Sequence, residues 1–252
     1  MDAARDATLS HTVADGVATV VISHPAKRGA MTAAMWRALP ALLPGLAADP
    51  AVRVLVLTGA GGTFCAGADI SSLTGDDDPR ALSVAAEEAL AAFPKPTLAA
   101  IRGHCVGGGS QLAAACDLRF AEQGATFGVT PARLGIVYPA SSTRRLTSVV
   151  GPAWAKYLLF SAELIDAEQA LRAGFLNELL PAGELDKRVA EFTRVLTTRS
   201  WLTQAAAKEF VEGRTDRDAH WAQRAAASGD AVEGVAAFLE RRAPVFGPPT
   251  AD

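Results

Sequence analysis

Three consecutive glycines at residues 107–109 are the residues of this sequence that most clearly indicate a chemical role. They follow an apolar segment, Thr97–Ile101, that predicts a buried strand, and they precede an Ala- and Leu-rich segment that predicts a helix. Glycine lets the main chain turn sharply and approach a ligand closely. The first N–H groups of a helix have no intrahelical acceptor, and they suit a negatively charged oxygen. The pattern predicts one half of an oxyanion hole; a tight turn without chemistry is the alternative.

A second turn of small residues, Phe-Cys-Ala-Gly-Ala-Asp at 64–69, follows another predicted strand at 52–57. Open α/β folds carry their sites just beyond the carboxyl ends of strands. The main-chain N–H groups of Ala68 and Gly108 could therefore meet on one carbonyl oxygen. Such a pair stabilises an enolate or a tetrahedral oxyanion, and losing one donor typically costs ~3 kcal/mol of transition-state stabilisation.

Composition excludes several classes of protein. The chain has 252 residues, 50% hydrophobic and 20% charged, with a net charge of −3, which fits one domain plus an appendage. Basic residues are scattered, so no nucleic-acid partner is expected, and no apolar stretch approaches the roughly 20 residues of a membrane span. The three cysteines lack metal-ligand spacing and favour a reducing compartment. We expect a cytoplasmic protein with no metal and no membrane partner.

The elements that must position the two turns alternate between strands and helices. Asp15-Gly16 predicts a hairpin, and Thr32 predicts the N-cap of a helix that runs to about Leu46 and is shortened or kinked by Pro40 and Pro44. A further helix is predicted at 81–93, and helical segments dominate from residue 152 to residue 241. The pattern predicts an α/β core with parallel strands over 1–190 and a helical region over 191–252.

Several motifs together resemble the crotonase (enoyl-CoA hydratase/isomerase) family, and the likeness runs from about residue 10 to residue 246. That resemblance implies a spiral of ββα units with a helical C-terminal trimerisation region, assembled as homotrimers or dimers of trimers. It implies an acyl-CoA substrate whose thioester oxygen is held by Ala68 and Gly108, with coenzyme A present only as part of the substrate. The motifs are Phe-Cys-Ala-Gly-Ala-Asp-Ile at 64–70, Lys-Pro-Thr at 95–97, Gly-Gly-Gly-Ser-Gln-Leu-Ala at 107–113, Cys-Asp at 116–117 and Leu-Gly-Ile at 134–136.

The same resemblance implies which residues contact coenzyme A. Lys27 and Arg28 lie in the loop that meets its phosphates and adenine, and Ala66 lies in the second turn. Arg241, or Arg242, lies where the family often has a basic residue of the last helix. Solvated surface charges are the alternative for all of these cations.

The sequence departs from the hydratases of this family at two positions. Gln111 and Pro131 stand where those enzymes have glutamates that position and activate water. Neither residue can act as a proton acceptor, and general acid–base steps contribute ~10² to 10⁴-fold each, so ordinary hydration is doubtful. Gln111 can still hold a water through its amide, and Tyr138 is a candidate functional hydroxyl, with a packed tyrosine as the alternative.

The sequence therefore predicts an enzyme of the enoyl-CoA hydratase/isomerase type that stabilises a thioester enolate. The arrangement around Pro131 and Tyr138 is similar to that of the decarboxylase branch of the family, although that branch has a histidine at the position of Ala68. An acyl-CoA decarboxylase or isomerase of the same fold is one alternative, and a non-catalytic CoA-thioester binder is another. A nicotinamide enzyme has little support, because Gly59, Gly61 and Gly62 do not follow the G-x-G-x-x-G spacing.

Overall fold

The computed structural model describes residues 7–72 and 78–248, in which strands and helices alternate before a series of helices. Part of the predicted polar loop at 71–80 lies outside the described residues. The strands are β1 Thr8–Ala14, β2 Val17–Ser23, β3 Val54–Gly59, β4 Thr97–Ile101, β5 His104–Val106, β6 Leu118–Glu122, β7 Thr126–Gly128, β8 Ile165–Asp166 and β9 Glu178–Leu180. The helices are α1 Ala33–Ala48, α2 Pro79–Ala91, α3 Gly108–Ala115, α4 Ala140–Ser161, α5 Ala167–Arg172, α6 Leu185–Thr197, α7 Trp201–Val211, α8 Asp218–Ser228 and α9 Asp230–Glu240.

Two sheets organise the α/β part of the chain. The larger sheet has the order β1-β2-β3-β4-β6-β9, in which only β1 and β2 are antiparallel. Their hairpin turns at Asp15 and Gly16, which both have positive φ, as the sequence predicted. The smaller sheet has the order β5-β7-β8. All five residues of β4 are buried, as expected for a parallel strand covered on both faces, and the predicted α/β fold class is confirmed.

Helix α1 is longer than the sequence predicted. Thr32 is its N-cap, with Oγ1 accepting from the N–H of Met35, but the helix continues through Pro40 and Pro44 to Ala48. The expectation that these prolines shorten it was therefore wrong. Both prolines lie away from the buried stripe, and the burial of that stripe outweighs the backbone hydrogen bonds that they remove. The buried stripe consists of Ala33, Met35, Trp36, Leu39, Leu43 and Leu46.

Helix α4 and the short strands were the other elements that sequence patterns missed. The helix begins at residue 140 rather than 152, and it contains a break at Gly151, whose φ is +74°. Strands β7 and β9 have only three residues each, which is too short for an alternation to be recognised. The predicted division at residue 190 lies within α6, and helices α7 to α9 follow it.

The C-terminal helices are joined to the α/β part by a partly buried ion pair. Lys208 of α7 donates from Nζ to Asp117 Oδ2 at 2.9 Å, beyond the C-terminal end of α3. Among residues 7–72 and 78–248, no helix combines the length and the apolar character needed to cross a membrane.

Candidate functional site

The glycine turn before α3 needs glycine for two separate reasons. Gly107 has φ +56° and ψ −117°, a conformation that residues with a side chain rarely adopt. Gly109 packs against the other turn so closely that a Cβ there would lie 2.1 Å from the carbonyl oxygen of Cys65. The turn is therefore fixed by main-chain contacts with the second turn.

The second turn lies directly against the first. Cys65 pairs with Cys105 in a parallel bridge, and Ala68 pairs with Met31 in another. A Cβ placed on Gly67 would lie 3.5 Å from the main-chain nitrogen of Gly108. The structure thus brings together the two turns that the sequence singled out.

The N–H groups of Ala68 and Gly108 donate to no acceptor within the described part of the chain. Ala68 is exposed and Gly108 is half-buried, so an outside ligand can reach both residues. Three neighbouring N–H groups are used inside the protein. Ala66 donates to the Arg28 carbonyl, Asp69 to the Met31 carbonyl, and Gly107 to the Gly128 carbonyl.

Trp36, which sequence reasoning treated only as part of a helix, packs behind the glycine turn. A Cβ on Gly108 would lie 2.8 Å from Cζ2 of its indole ring. The side chain is 1% exposed, and its Nε1 has no hydrogen-bond partner in the ranges that the structure describes. Glycine is therefore the only residue type that fits at position 108, between Trp36 and the second turn, without a shift of the surrounding atoms.

A buried polar cluster lies beside the first turn of α3; we call it the Glu87 cluster. Gln111, 4% exposed, donates from Nε2 to Glu87 Oε2 at 2.5 Å and to Ser142 Oγ at 3.1 Å. The Ser142 hydroxyl donates to the same carboxylate oxygen, and Arg145 Nη1 donates to Oε1 of Glu87. Glu87 has no exposed surface, unlike Glu88 beside it. The cluster consists of Glu87, Gln111, Ser142 and Arg145.

Sequence reasoning missed Glu87 because a glutamate in an amphipathic helix is usually part of the solvated face. The available signal was its position between two apolar residues of α2, Ala86 and Leu90, which are both fully buried. A charged residue inside the apolar stripe of a helix indicates a buried partner.

Tyr138 lies near the Glu87 cluster. Its partly buried ring packs against the main core, and its hydroxyl makes no hydrogen bond to any described residue. Burial raises the pKa of Tyr138 above its ordinary value, and the negative charge of Glu87 raises it further. The hydroxyl therefore keeps its proton near neutral pH and can donate a hydrogen bond, but it cannot serve as a base.

Pro131 begins a short 3₁₀ helix, Pro131–Leu134, next to the glycine turn. Oγ1 of the preceding residue, Thr130, lies 3.7 Å from the position of a Cβ on Gly107. The region where the family resemblance placed a second glutamate therefore adjoins the turn, and at position 131 it offers no carboxyl group.

The two cations predicted to contact coenzyme A lie on the loop that is hydrogen-bonded to the second turn. Lys27 Nζ donates to Asp69 Oδ1 at 2.7 Å and also to the hydroxyl of Ser71. Burial opposes ionisation of Asp69, but hydrogen bonds from Lys27 and Ser71 outweigh it and lower the pKa of its carboxyl group. Arg28 is exposed, with Nη1 at 3.3 Å from Nε2 of His104.

Arg241 lies at the end of α9 and is exposed. No hydrogen bond or ion pair in the described ranges joins it to Lys27, Arg28 or either turn. The neighbouring Arg242 is held by ion pairs with Glu233 and Glu240, each at 2.6 Å. Arg241 is therefore the better candidate of the two for an external anion.

The cysteines of the two turns are structural. Burial raises the pKa of Cys65 to about 12, and it also raises the pKa of Cys105. Their thiols are unreactive as nucleophiles near neutral pH, because only the thiolate attacks. In the part of the chain that the structure describes, no group of three or more His, Cys, Asp or Glu side chains is arranged to hold a metal ion.

Comparisons with known proteins agree on one family. Residues 12–249 match the family model described as enoyl-CoA hydratase/isomerase. The crotonyl-CoA hydratase of Syntrophomonas wolfei is 37% identical over 210 residues, covering 77% of this chain and 80% of that protein. The 2,3-dehydroadipyl-CoA hydratase of Escherichia coli is 32% identical over 241 residues, covering 91% and 94%. A crystal structure of an enoyl-CoA hydratase/isomerase family member has a TM-score of 0.90 at 37% identity, covering 96% of this chain and 97% of the other.

Proposed function

This chain belongs to the enoyl-CoA hydratase/isomerase family, and from that premise we propose that it binds acyl-CoA thioesters and stabilises their enolates. The thioester oxygen would accept hydrogen bonds from the N–H groups of Ala68 and Gly108. The observation that carries this proposal is that both donors are unpaired within the described residues, on two turns in direct contact. Fixed main-chain dipoles stabilise developing negative charge without reorganising during the reaction.

The chemistry at the α- and β-carbons would differ from ordinary hydration. Activation of water needs a base, and neither Gln111 nor Pro131 carries a carboxyl group. Tyr138 would supply a proton-donating hydroxyl, and Gln111 an amide that orients a water or a polar group of the substrate. Glu87 already accepts hydrogen bonds at both of its oxygens, so it is not a free base.

Decarboxylation or isomerisation of an acyl-CoA is the second candidate reaction. Loss of carbon dioxide from a 2-carboxyacyl thioester leaves its electron pair in the enolate, so an oxyanion hole suffices and no strong base is needed. A site with two main-chain donors, a protonated tyrosine and no carboxyl group at positions 111 and 131 favours decarboxylation over isomerisation, because isomerisation has to move a proton from the α-carbon and needs a base. A binder that has lost catalysis would have the same oxyanion hole.

The coenzyme A part of the substrate would contact Lys27, Arg28, Ala66 and Arg241. Arg28 and Arg241 would form ion pairs with the phosphates, whereas Lys27 would have to share its charge with Asp69. We also propose a homotrimer or a dimer of trimers in the cytoplasm. The three buried, unpaired cysteines support a reducing compartment.

Turnover by the purified protein should be assayed with crotonyl-CoA, 3-butenoyl-CoA and methylmalonyl-CoA. Binding of butyryl-CoA should be measured by calorimetry. We expect butyryl-CoA to bind and methylmalonyl-CoA to turn over faster than crotonyl-CoA or the 3-enoyl thioester, since only decarboxylation needs no base. Hydration of crotonyl-CoA as the fastest reaction would contradict the roles given to Gln111 and Pro131. Binding without any turnover would favour the non-catalytic binder, and absence of binding would refute the proposed function.

A further inference from the structure

A cavity of about 610 Å³ lies between the C-terminal ends of α1 and α2 and the helices α7 and α8. Its volume falls within the range of about 300–1,000 Å³ that is usual for small-molecule sites. None of the described residues that line it belongs to either of the two turns or to the Glu87 cluster. The cavity is therefore separate from the site proposed for acyl-CoA. Much of its wall is apolar, formed by Pro44, Pro50, Phe93, Pro94, Trp201 and Trp221.

Two charged groups of the wall form ion pairs inside the protein. Lys208 pairs with Asp117 at 2.9 Å. Oε2 of Glu209 accepts from Nε1 of Trp221 at 2.8 Å and from Nε of Arg217 at 3.1 Å. Because each charge has an opposite charge close to it, these two pairs add little net potential inside the cavity.

The two other cations of the wall also have acceptors of their own. Lys95, 6% exposed, donates from Nζ to the carbonyl oxygens of Leu46 at 3.3 Å and of Asp49 at 2.7 Å. These carbonyls lie at the C-terminal end of α1, where the helix dipole is negative. Arg214 pairs with Asp216 at 3.7 Å. Every lysine and arginine among the described residues of the wall is therefore compensated within the protein.

Glu212 is the exception among the charged groups of this cavity. Its carboxylate forms no hydrogen bond or ion pair with any described residue. Glu212 also lines a neighbouring cavity of about 560 Å³, so it lies where the two cavities adjoin. Partial desolvation raises the pKa of its carboxyl group, which means that its ionised form is unfavourable in the folded protein. An unpaired carboxylate beside an apolar cavity indicates that a cation from outside completes the site.

The indole rings of Trp201 and Trp221 favour a ligand with a positive charge. The guanidinium carbon of Arg224 lies 5.1 Å from the ring centroid of Trp201 and 5.5 Å from that of Trp221. Both rings thus already contact a cation of the protein, through the attraction between a positive charge and a π-system. An indole ring also offers a large apolar surface on which the body of a ligand can pack.

We propose that this cavity is a second binding site, which takes an amphiphilic amine whose ammonium group pairs with Glu212 and whose apolar body packs on the prolines and the two indole rings. An ammonium group donates charge-assisted hydrogen bonds to a carboxylate. A metal ion fits less well, because it needs several oxygen ligands and the described wall supplies one unpaired carboxylate. This inference does not depend on the proposed function, since the two sites share no described residue.

The test compares two probes with the same body and opposite charges, 4-phenylbutylamine and 5-phenylpentanoate, by isothermal titration calorimetry. We expect the wild-type protein to bind the amine at least about tenfold more tightly than the acid, as one charge-assisted hydrogen bond predicts. Glu212→Gln keeps the shape of the side chain and removes its charge. The preference for the amine should fall to about twofold, whereas the affinity for butyryl-CoA should stay within about twofold of the wild-type value.

Glu191→Gln is the matched control, because Glu191 is an exposed glutamate of α6 that does not line the cavity. Both variants change the net charge of the protein equally, so a general attraction of amines to an acidic protein would respond to both. Glu191→Gln should keep the tenfold preference. Loss of the preference in both variants would overturn the assignment to Glu212.

Ala48→Phe tests the location of the site independently of charge. Ala48 is an exposed residue of the wall, and a phenyl ring there fills part of the cavity. Binding of the amine should weaken by at least about tenfold, and binding that persists would place the probe elsewhere and refute the inference. Equal affinities of the wild-type protein for the two probes, or no binding of the amine, would also refute it. Failure to bind butyryl-CoA would instead refute the proposed function and leave this inference intact.

Discussion

Helix α3 has a buried polar cluster at each end. The two ends differ in whether their polar groups all have hydrogen-bond partners within the protein. Beyond its C-terminus, Asp117 Oδ2 accepts from Lys208 and from both the N–H and the hydroxyl of Thr97. Arg119 donates to the carbonyl oxygens of Cys116 and Phe175 at 2.7 and 2.6 Å. We call this group of Thr97, Asp117, Arg119 and Lys208 the Asp117 cluster.

The N-terminal end of the same helix is not closed in this way. The Gly108 N–H, the Gln111 Oε1 and the Tyr138 hydroxyl have no partner among the described residues. Buried polar groups are normally satisfied, so unpaired groups gathered at one end indicate where a ligand completes the hydrogen bonding. Closed clusters stabilise the fold, and open ones are available for binding.

The largest effect on enolate binding is expected from Gly108→Ala, which places a side chain at the open N-terminal end of α3. The new Cβ would meet the Trp36 ring at 2.8 Å and displace the turn that carries the N–H donor. We expect the affinity for the enolate to fall by about 10²- to 10³-fold, as is typical when an oxyanion hole loses one donor. The measurement is the near-ultraviolet absorbance of the enolate of acetoacetyl-CoA when bound, titrated for both proteins.

Gly45→Ala is the matched control for Gly108→Ala. Gly45 lies in α1, its φ is not positive, and a Cβ there would meet nothing within 4 Å. Enolate binding should stay unchanged, and the helix should gain about 0.5–1 kcal/mol of stability. Trp36→Leu in the Gly108→Ala background should recover part of the binding; enolate binding that survives Gly108→Ala alone would contradict the role of this turn.

The second-largest effect, on stability, should come from Asp117→Ala, which removes the central acceptor of the Asp117 cluster. Lys208 would lose its ion-pair partner, and the buried N–H of Thr97 would lose its acceptor. We expect the free energy of unfolding, measured by urea denaturation, to fall by about 2–3 kcal/mol. Acyl-CoA affinity of the folded protein should not change, because this end of α3 carries no unpaired donor of the site.

Asp186→Ala serves as the control for Asp117→Ala. Asp186 pairs with Arg102 at 2.8 Å but is 84% exposed, so its loss should cost less than about 1 kcal/mol. Equal losses for the two variants would mean that the Asp117 cluster is no more than a solvent-screened ion pair.

The two ends of α3 also differ in how much of them the sequence predicted. The glycine turns and the pair Ala68 and Gly108 follow from local rules, because residue type and spacing suffice to place a tight turn after a strand. Whether these two amides converge on one oxygen stays a prediction. Gln111 was singled out as a departure from the family pattern, but its partner Glu87 was not.

Side-chain partners from distant segments could not be predicted by the same rules. Glu87 and Ser142 lie 24 and 31 residues from Gln111, and only the packing of α2 and α4 on α3 brings them together. The long course of α1 through two prolines has the same origin, since tertiary burial overrides local preference. Patterns predict elements and turns, whereas contacts between elements have to be observed.

The third prediction concerns acid and the turn beside Ala68. Lys27 and Ser71 lower the pKa of Asp69 below its unfolded value of about 3.8, so this group stabilises the fold above that pH. The contribution disappears as the pH falls through the lower, folded pKa. Asp69→Asn should cost about 1–2 kcal/mol at pH 7, and the gap between the two proteins should narrow below about pH 4.

Thermal unfolding of the wild-type protein, Asp69→Asn and Lys27→Met between pH 7 and pH 3 measures this effect. Lys27→Met removes the main donor to Asp69 and should flatten the acid dependence in the same way. A gap between wild type and Asp69→Asn that is independent of pH would show that the Lys27–Asp69 pair does not stabilise the turn.

The smallest effect, of opposite sign, is expected from Glu212→Gln near the Asp117 cluster. Glu212 is exposed, but partial desolvation raises the pKa of its carboxyl group. The charge of Lys208 opposes this rise, and that of Asp117 adds to it. Glu212 also caps the C-terminus of α7, where a negative charge is unfavourable. Because the folded pKa lies above the unfolded value of about 4.5, the ionised group destabilises the fold at higher pH and not at lower pH. Glu212→Gln should therefore raise the free energy of unfolding at pH 7 by about 0.3–1 kcal/mol. The gain should vanish below about pH 4, and a gain that persists there would place its origin in packing rather than in charge.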